Sequence, residues 1–491
     1  MKKILCVIFV LLLTVTPVFT AGCAEQRPLT TDTADTQPDS VTTEPAETEI
    51  KDDLPEVNFK NRPFRVIIQS QGEADIYTED HEIGESVHDA VFERNLKVCD
   101  RFGIELQVTR DDYTAVNNAI SRSVKAGSDE YDLCFVHMVS GASLAQSNLV
   151  LPFEKLPYVD LEKPWWDKDI YNGFSIRNNL MMVNGDISPR SFSITSCMYF
   201  NKTMFDKLDL EYPYELVREG KWTLDRLCEL TKGVTRDNDG DGVVTNDSKS
   251  DVYSLTSWYL DVPYSFYYAA GGMLVSKDEN DVPYYDPQLE RDTQIYGKIY
   301  NVIIDNNAYF ETEMANYMRV IETFYEGRAL FYDSTLNAAE TLRDMNDDFG
   351  IVPTPKFDEA QSDYRSFVNG ASSMVCVPAT VTKTENREFV SIVIEGLASE
   401  AYRTVTPVLK ETCLKRKLTR DADSADMIDY IVRNRVFDMA YVNMHDGVGS
   451  YVRDLLKAGA KDISAELKQY QKSAKKKIEN IVKAFDKSLN S

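Results

Sequence analysis

Phe64-Arg65-Val66-Ile67-Ile68-Gln69 opens the folded part of the chain, and the alternation of patterns after it decides the class of fold. A short apolar run of this kind reads as a buried strand. Residues 87–102 then place Val87, Ala90, Val91, Leu96 and Val98 in an amphipathic helical pattern, and Ile104-Glu105-Leu106-Gln107-Val108-Thr109 returns to strand spacing. Residues 114–126 are again helical, and Tyr131-Asp132-Leu133-Cys134-Phe135-Val136-His137 is a buried strand. Strand and helix alternating at this spacing predict an α/β fold, with a parallel or mixed sheet flanked by helices.

Farther along, the pattern predicts strands at 183–186 and 196–200, a strand-like run at 252–255, and helices at 202–208, 223–231, 287–306, 314–326 and 386–399. A long helix with polar and basic faces closes the chain at 463–488. A length of 491 residues suits two lobes.

Ahead of the folded part stands an export signal. Lys2 and Lys3 precede an apolar run from Ile4 to Val15, and Thr20-Ala21-Gly22-Cys23 forms a lipobox-like end to it. Such a segment is removed on export and is too short to span a bilayer. Residues 1–22 therefore read as a lipoprotein signal peptide, with Cys23 as the lipidation site and its acyl chains held in the lipid bilayer. A plain secretory signal that abuts a cysteine is the alternative. Residues 23–57, rich in Thr, Asp, Glu and Pro, cannot bury enough surface to fold and read as a disordered acidic tether.

The formal charge of −25 argues against nucleic acid as a partner. Beyond the two cysteines of the leader, Cys99, Cys134, Cys197, Cys228, Cys376 and Cys413 are scattered and read as small buried hydrophobes in preference to disulfides. Nucleophile elbows, zinc-protease motifs, phosphate loops and dinucleotide fingerprints are all missing, so nothing local marks an enzyme.

One local motif points to a cation. Asp237-Asn238-Asp239-Gly240-Asp241-Gly242-Val243 follows the opening of a calcium loop, with carboxylates at positions 1, 3 and 5, a glycine at 6 and a backbone carbonyl at 7. The bidentate Glu expected at position 12 is replaced by Ser248, so Asp247 or Asp251 has to compensate. The expected ligands of one structural Ca²⁺ are Asp237, Asp239, Asp241, Val243 and Asp247; a solvated Asp/Gly turn is the alternative.

In sequence order, Asp89-Ala90-Val91-Phe92-Glu93-Arg94-Asn95, Tyr131-Asp132-Leu133, Gly185-Asp186, Met198-Tyr199-Phe200-Asn201-Lys202, Gly220-Lys221-Trp222-Thr223, Ala269-Ala270-Gly271-Gly272 and Phe349 to Lys356 resemble the extracellular solute-binding proteins of the family 1 type. These are the lipoprotein components of ABC importers, and the layout is most similar to their carbohydrate-binding branch. The resemblance spans roughly residues 60–440.

It implies a two-lobed, periplasmic-binding-protein-like type II fold with the ligand in a cleft between lobes closed by a hinge. The first lobe would comprise 58–186 and 356–404, the second 187–355 and 405–491, with crossings near Asp186, Thr354 and Thr406. Ligand contacts carried over by the resemblance are Ser70, Gln71, His137, Ser140, Asp186, Trp258 and Tyr332. The implied function is a monomeric receptor, tethered at the extracellular face of the cell membrane, that delivers a small solute, a carbohydrate by this likeness, to ABC permease subunits. Two rivals stay open: a surface lipoprotein enzyme acting on glycans, and a binding protein that serves a sensor kinase.

Overall fold

The computed structural model describes residues 50–76, 86–244, 248–410, 421–444 and 447–489. Cys23, the signal segment, the tether up to residue 49, Asp247 and Cys413 lie outside these residues. Residues Asp52–Ser491 form one compact unit.

Nine strands build two sheets: β1 (Arg62–Gln69), β2 (Ile104–Asp111), β3 (Leu133–His137), β4 (Ser196–Asn201), β5 (Tyr253–Trp258), β6 (Tyr309–Glu311), β7 (Ala329–Thr335), β8 (Phe349–Val352) and β9 (Ser373–Cys376). The first sheet has the order β9-β3-β1-β2, and the second β8-β4-β7-β5-β6. In the first, β1 runs parallel to β2 (Phe64↔Leu106) and to β3 (Ile67↔Cys134), while β9 is antiparallel to β3 (Val375↔Phe135). In the second, β7 is parallel to β5 and antiparallel to β4, where Tyr199 faces Tyr332. Each sheet is therefore mixed.

Burial explains the sequence pattern. Strands β1 and β3 lie inside the first sheet and are covered on both faces, so they read as near-continuous apolar runs. β2 is the sheet edge and alternates, turning Glu105, Gln107, Thr109 and Asp111 away from the core.

The main helices are α1 (Ser86–Phe102), α2 (Tyr113–Ala126), α3 (Met138–Gln146), α4 (Leu224–Thr231), α5 (Val262–Ala269), α6 (Leu289–Tyr300), α7 (Tyr317–Tyr325), α8 (Thr384–Pro407), α9 (Ala422–Arg433) and α10 (Ser464–Leu489). Local chemistry sets their ends. Asp112 caps α2 by accepting from the Thr114 N–H, and Gly127 closes it at φ 67°, a left-handed conformation that suits glycine. Thr223 caps α4 through the Arg226 N–H at 3.2 Å.

Several expectations change. Residues 183–186 do not form a strand: Val183 makes a single bridge to Val375 and Gly185 one to Trp166. Gly185 presses on the backbone at Trp165, where an added Cβ would lie 2.1 Å from the carbonyl oxygen. The helix foreseen at 287–306 ends as α6 at Tyr300 and continues as a π-turn over Asn301–Asp305. Leu96, placed on the apolar side of α1, is 49% exposed.

Strands of the first sheet come from residues 62–137 and 373–376, and those of the second from residues 196–352. α8 runs unbroken through the expected division at 404/405 and packs on α1, whereas α9 packs on β8. α10 seats against both α3 and the short strand Pro283–Tyr285.

Candidate functional site

Parallel strands end with their last residues on one edge of a sheet, which is where open α/β sheets present side chains to ligands. In the first sheet that edge holds Gln69, the last residue of β1. Its Nε2 donates to Ser373 Oγ at 3.1 Å and to the Ala371 carbonyl at 3.4 Å. Its Oε1 is buried and finds no hydrogen-bond partner among the described residues. Ser70 and Gln71 come next, in an exposed 3-10 turn.

His137 ends the neighbouring strand β3. Its Nδ1 accepts the Ser140 N–H at 3.3 Å and so caps α3, and its ring lies 5.0 Å from that of Tyr113. The Ser140 hydroxyl is buried without a partner among the described residues. Because His137 sits opposite Ser373 in the β3/β9 register, Gln69, His137 and Ser140 share one neighbourhood.

The corresponding edge of the second sheet carries aromatics and one carboxylate. Trp258 ends β5, half-buried, with its ring 4.6 Å from Tyr317 and 5.5 Å from Tyr259. Its Nε1 is buried and has no partner among the described residues. Three residues on, Asp261 accepts from Asn369 Nδ2 at 3.1 Å, and its own N–H donates to the Trp258 carbonyl. Burial pushes the Asp261 carboxyl up to about 7 against the pull of Asn369. An indole face, a phenol ring and a carboxylate with a shared amide can take a ring-shaped polar solute: flat faces for its C–H surface, oxygen for its hydroxyls.

Two of the residues carried over from the resemblance lie elsewhere. Tyr332 is 1% exposed and stacks on Tyr199 at 5.7 Å, with Phe324 at 5.6 Å, so it is a core residue of the second sheet with no accessible face. Asp186 is 6% exposed and receives the Thr406 hydroxyl at 2.6 Å, in the stretch of chain between β3 and β4. Burial raises its carboxyl to about 6 despite Thr406, Lys410 and Arg435. Asp261, Asn369 and Tyr317 escaped the sequence, since no local motif marks them.

The Asp-rich loop is shaped by its own carboxylates. Asp237 accepts from the Gly240 and Gly242 N–H groups at 2.6 and 2.8 Å, and those glycines adopt φ 77° and 89°, which a side chain would resist. Asp239 accepts from Ser248 Oγ at 2.7 Å. The fully buried Asp251 accepts from the Asn238 N–H at 3.0 Å. Oxygens of Asp237, Asp239 and Asp251 lie within 4.8 Å of one another, whereas Asp241 is outside that group and Val243 is 56% exposed. Cys134, Cys197 and Cys376 are buried and Cys99 and Cys228 half-buried, all as free thiols.

A family model described as bacterial extracellular solute-binding protein matches residues 96–398. No curated protein matches the chain in sequence. Among solved structures, an ABC transporter solute-binding protein from Agrobacterium radiobacter K84 in complex with ribitol shares 13% identity over 85% of this chain and 99% of its own, with a TM-score of 0.51. The ABC substrate-binding protein Lmo0181 from Listeria monocytogenes in complex with cycloalternan aligns at 13% identity, 87% and 99% coverage and TM-score 0.51. A cyclo/maltodextrin-binding protein complexed with maltotetraose gives 12%, 88%, 99% and 0.51. At such identities the likeness is one of fold. No helix among the described residues is long and apolar enough to cross a membrane.

Proposed function

The chain belongs to the bacterial extracellular solute-binding proteins, and we propose that it captures a sugar, an oligosaccharide or a polyol outside the cell and delivers it to an ABC importer. The observation that carries this reading is the group formed by Trp258, Tyr317 and Asp261 at the carboxyl edge of the second sheet, with the Trp258 indole N–H unpartnered among the described residues. Ring faces settle on the aromatics; hydroxyls donate to Asp261 and accept from Trp258 Nε1. Gln69 Oε1 and Ser140 Oγ supply further polar atoms from the first sheet, beside Ser70, Gln71 and His137. The ribitol, cycloalternan and maltotetraose bound by proteins of the same fold support a polyhydroxylated solute.

The lobes are the two sheet layers, divided as 58–186 with 356–404 and 187–355 with 405–491, and they close on the solute about crossings near Asp186, Thr354 and Thr406. Acyl chains on Cys23 hold this monomeric receptor at the outer face of the membrane, where permease subunits accept its cargo. The family and its structural neighbours are binding proteins, which speaks against the glycan-cleaving rival. One structural Ca²⁺ sits in the Asp-rich loop, held by Asp237 and Asp239, with Asp251 taking the place of the missing position-12 ligand and Asp241, Asp247 and the Val243 carbonyl completing the set.

Calorimetric titration with a panel of monosaccharides, oligosaccharides and polyols tests the reading. At least one panel member binds the wild type and loses affinity in Trp258→Ala; a panel without a binder overturns it. For the anchor, Cys23→Ala should release into the medium a protein that still binds its solute.

A further inference from the structure

Six lysines share the outer side of α10. The helix buries Leu467, Ala474, Ile478, Ile481 and Phe485, and on the opposite side Lys468, Lys472, Lys475, Lys476, Lys483 and Lys487 are all exposed. At about 100° per residue the six fall within an arc of roughly 120°, and at 1.5 Å per residue they cover about 28 Å of a straight helix.

These cations are unspent. Some exposed or part-exposed lysines elsewhere find carboxylates, as Lys97 pairs with Glu400, Lys163 with Asp53, Lys221 with Glu219 and Lys298 with Asp225, whereas unpaired ones such as Lys60, Lys125 and Lys207 are scattered along the chain and do not form a row on one helix. None of the six on α10 forms an ion pair or hydrogen bond with a described residue, although the chain carries 79 acidic residues against 54 basic ones. Two acids share the arc. Asp486 is engaged by Arg177, and Glu479 alone faces outward among the lysines. In so acidic a protein an unpaired basic row is a place where an anionic surface meets attraction.

We propose that this row docks the receptor against an anionic phospholipid surface. Screening limits the reach of charges to about 8 Å at physiological salt, so the row and not the distant acidic surface sets the local interaction. Polybasic segments adsorb to anionic headgroups in this way, each lysine adding to the attraction. No aromatic or Leu side chain is exposed among the six lysines, so the contact is adsorption at the headgroups without insertion, and salt reverses it. The inference rests on the extracellular placement of the family but not on lipidation of Cys23, nor on the identity of the solute.

Residues 52–491, one compact unit that holds both sheets and their cores, are the material for the test. Sedimentation with vesicles of phosphatidylcholine containing phosphatidylglycerol, against vesicles of phosphatidylcholine alone, reads the interaction at low and high salt. The protein should co-sediment with the anionic vesicles only and dissociate at high salt. Reversal of the row (Lys472→Glu, Lys475→Glu, Lys476→Glu and Lys483→Glu together) should lower binding by at least about tenfold. A second variant with Gln at the same four positions should fall between the two, and thermal unfolding of both variants should match the wild type. Equal binding to both vesicle types, no binding, or binding untouched by charge reversal overturns the proposal. Binding of the row to the purified permease, without vesicle binding, overturns it in favour of a protein partner.

Discussion

The Thr406 hydroxyl donates to the buried carboxylate of Asp186 at 2.6 Å and ties together two stretches of chain 220 residues apart. Beside it, the nearly enclosed Arg435 pairs with Asp167 and donates to Ser191 Oγ at 3.1 Å. Three passages of chain are thus pinned at one place. Thr406→Val removes the donor and leaves the Asp186 carboxylate short of a partner when it is ionised. The expected loss is about 1–3 kcal/mol at pH 8 and less at pH 5, where the carboxyl holds a proton. Urea unfolding at the two pH values measures the difference.

Stability should peak in mildly acid solution. Burial raises the carboxyls of Glu395 to about 8, Glu154 to about 7, and Asp169, Asp186 and Asp292 to about 6. Glu395 is raised even though the indoles of Trp165 and Trp166 both donate to it, at 2.9 and 3.0 Å. A carboxyl raised in the folded state gives stability that is full below its unfolded value near 4 and is lost as pH climbs through the folded value. Asp52 and Asp421 work the other way: burial pushes them up, but Arg101 and Lys202 respectively win and hold them below the usual range. Their contribution is lost as pH falls below about 4. The midpoint of thermal unfolding should therefore be highest near pH 5 and fall toward pH 8, by an amount on the order of a few kcal/mol in stability.

Solute binding should depend on Trp258 and on the protonation of Asp261. Trp258→Ala removes the ring platform and should weaken binding by at least about tenfold. An ionised Asp261 accepts from two hydroxyls, a protonated one from fewer, so affinity should rise between pH 6 and pH 8 through the value near 7. Asp261→Asn should flatten that rise. Titration calorimetry across the range separates the two effects.

Calcium should raise the unfolding midpoint, and a chelator should lower it. Asp251→Asn removes the buried carboxylate that stands in for position 12 and should abolish the shift, while Asp241→Asn, outside the cluster of Asp237, Asp239 and Asp251, should weaken it only in part. Equal midpoints with calcium and with chelator would overturn the metal assignment.

Much of the fold was legible because two kinds of local signal are strong. Doubly covered strands such as β1 and β3 stand out as apolar runs, and helices such as α2 carry caps at both ends. Residues 183–186 looked alike, yet what decides their conformation is the carbonyl of Trp165 against Gly185, a contact no window of local sequence contains. Tyr332 shows the same limit on a strand: an aromatic there faces the core or the solvent according to register, and here it meets Tyr199. Trp258 could be picked out as an aromatic in a matched segment. Asp261 could not, because its partner Asn369 lies 108 residues away.

The first sheet is completed by β9, whose Val375 pairs with Phe135 only after the whole second sheet has been laid down in between. Its cover is late as well, since α8 (Thr384–Pro407) reaches back to α1 (Ser86–Phe102). Contacts this remote in sequence are slow to form. A nascent chain that has emerged only as far as β8 leaves the β3 side of its first sheet without its edge strand. The order of the strands is thus also an order of assembly: the first sheet is complete only when Ser373–Cys376 arrives.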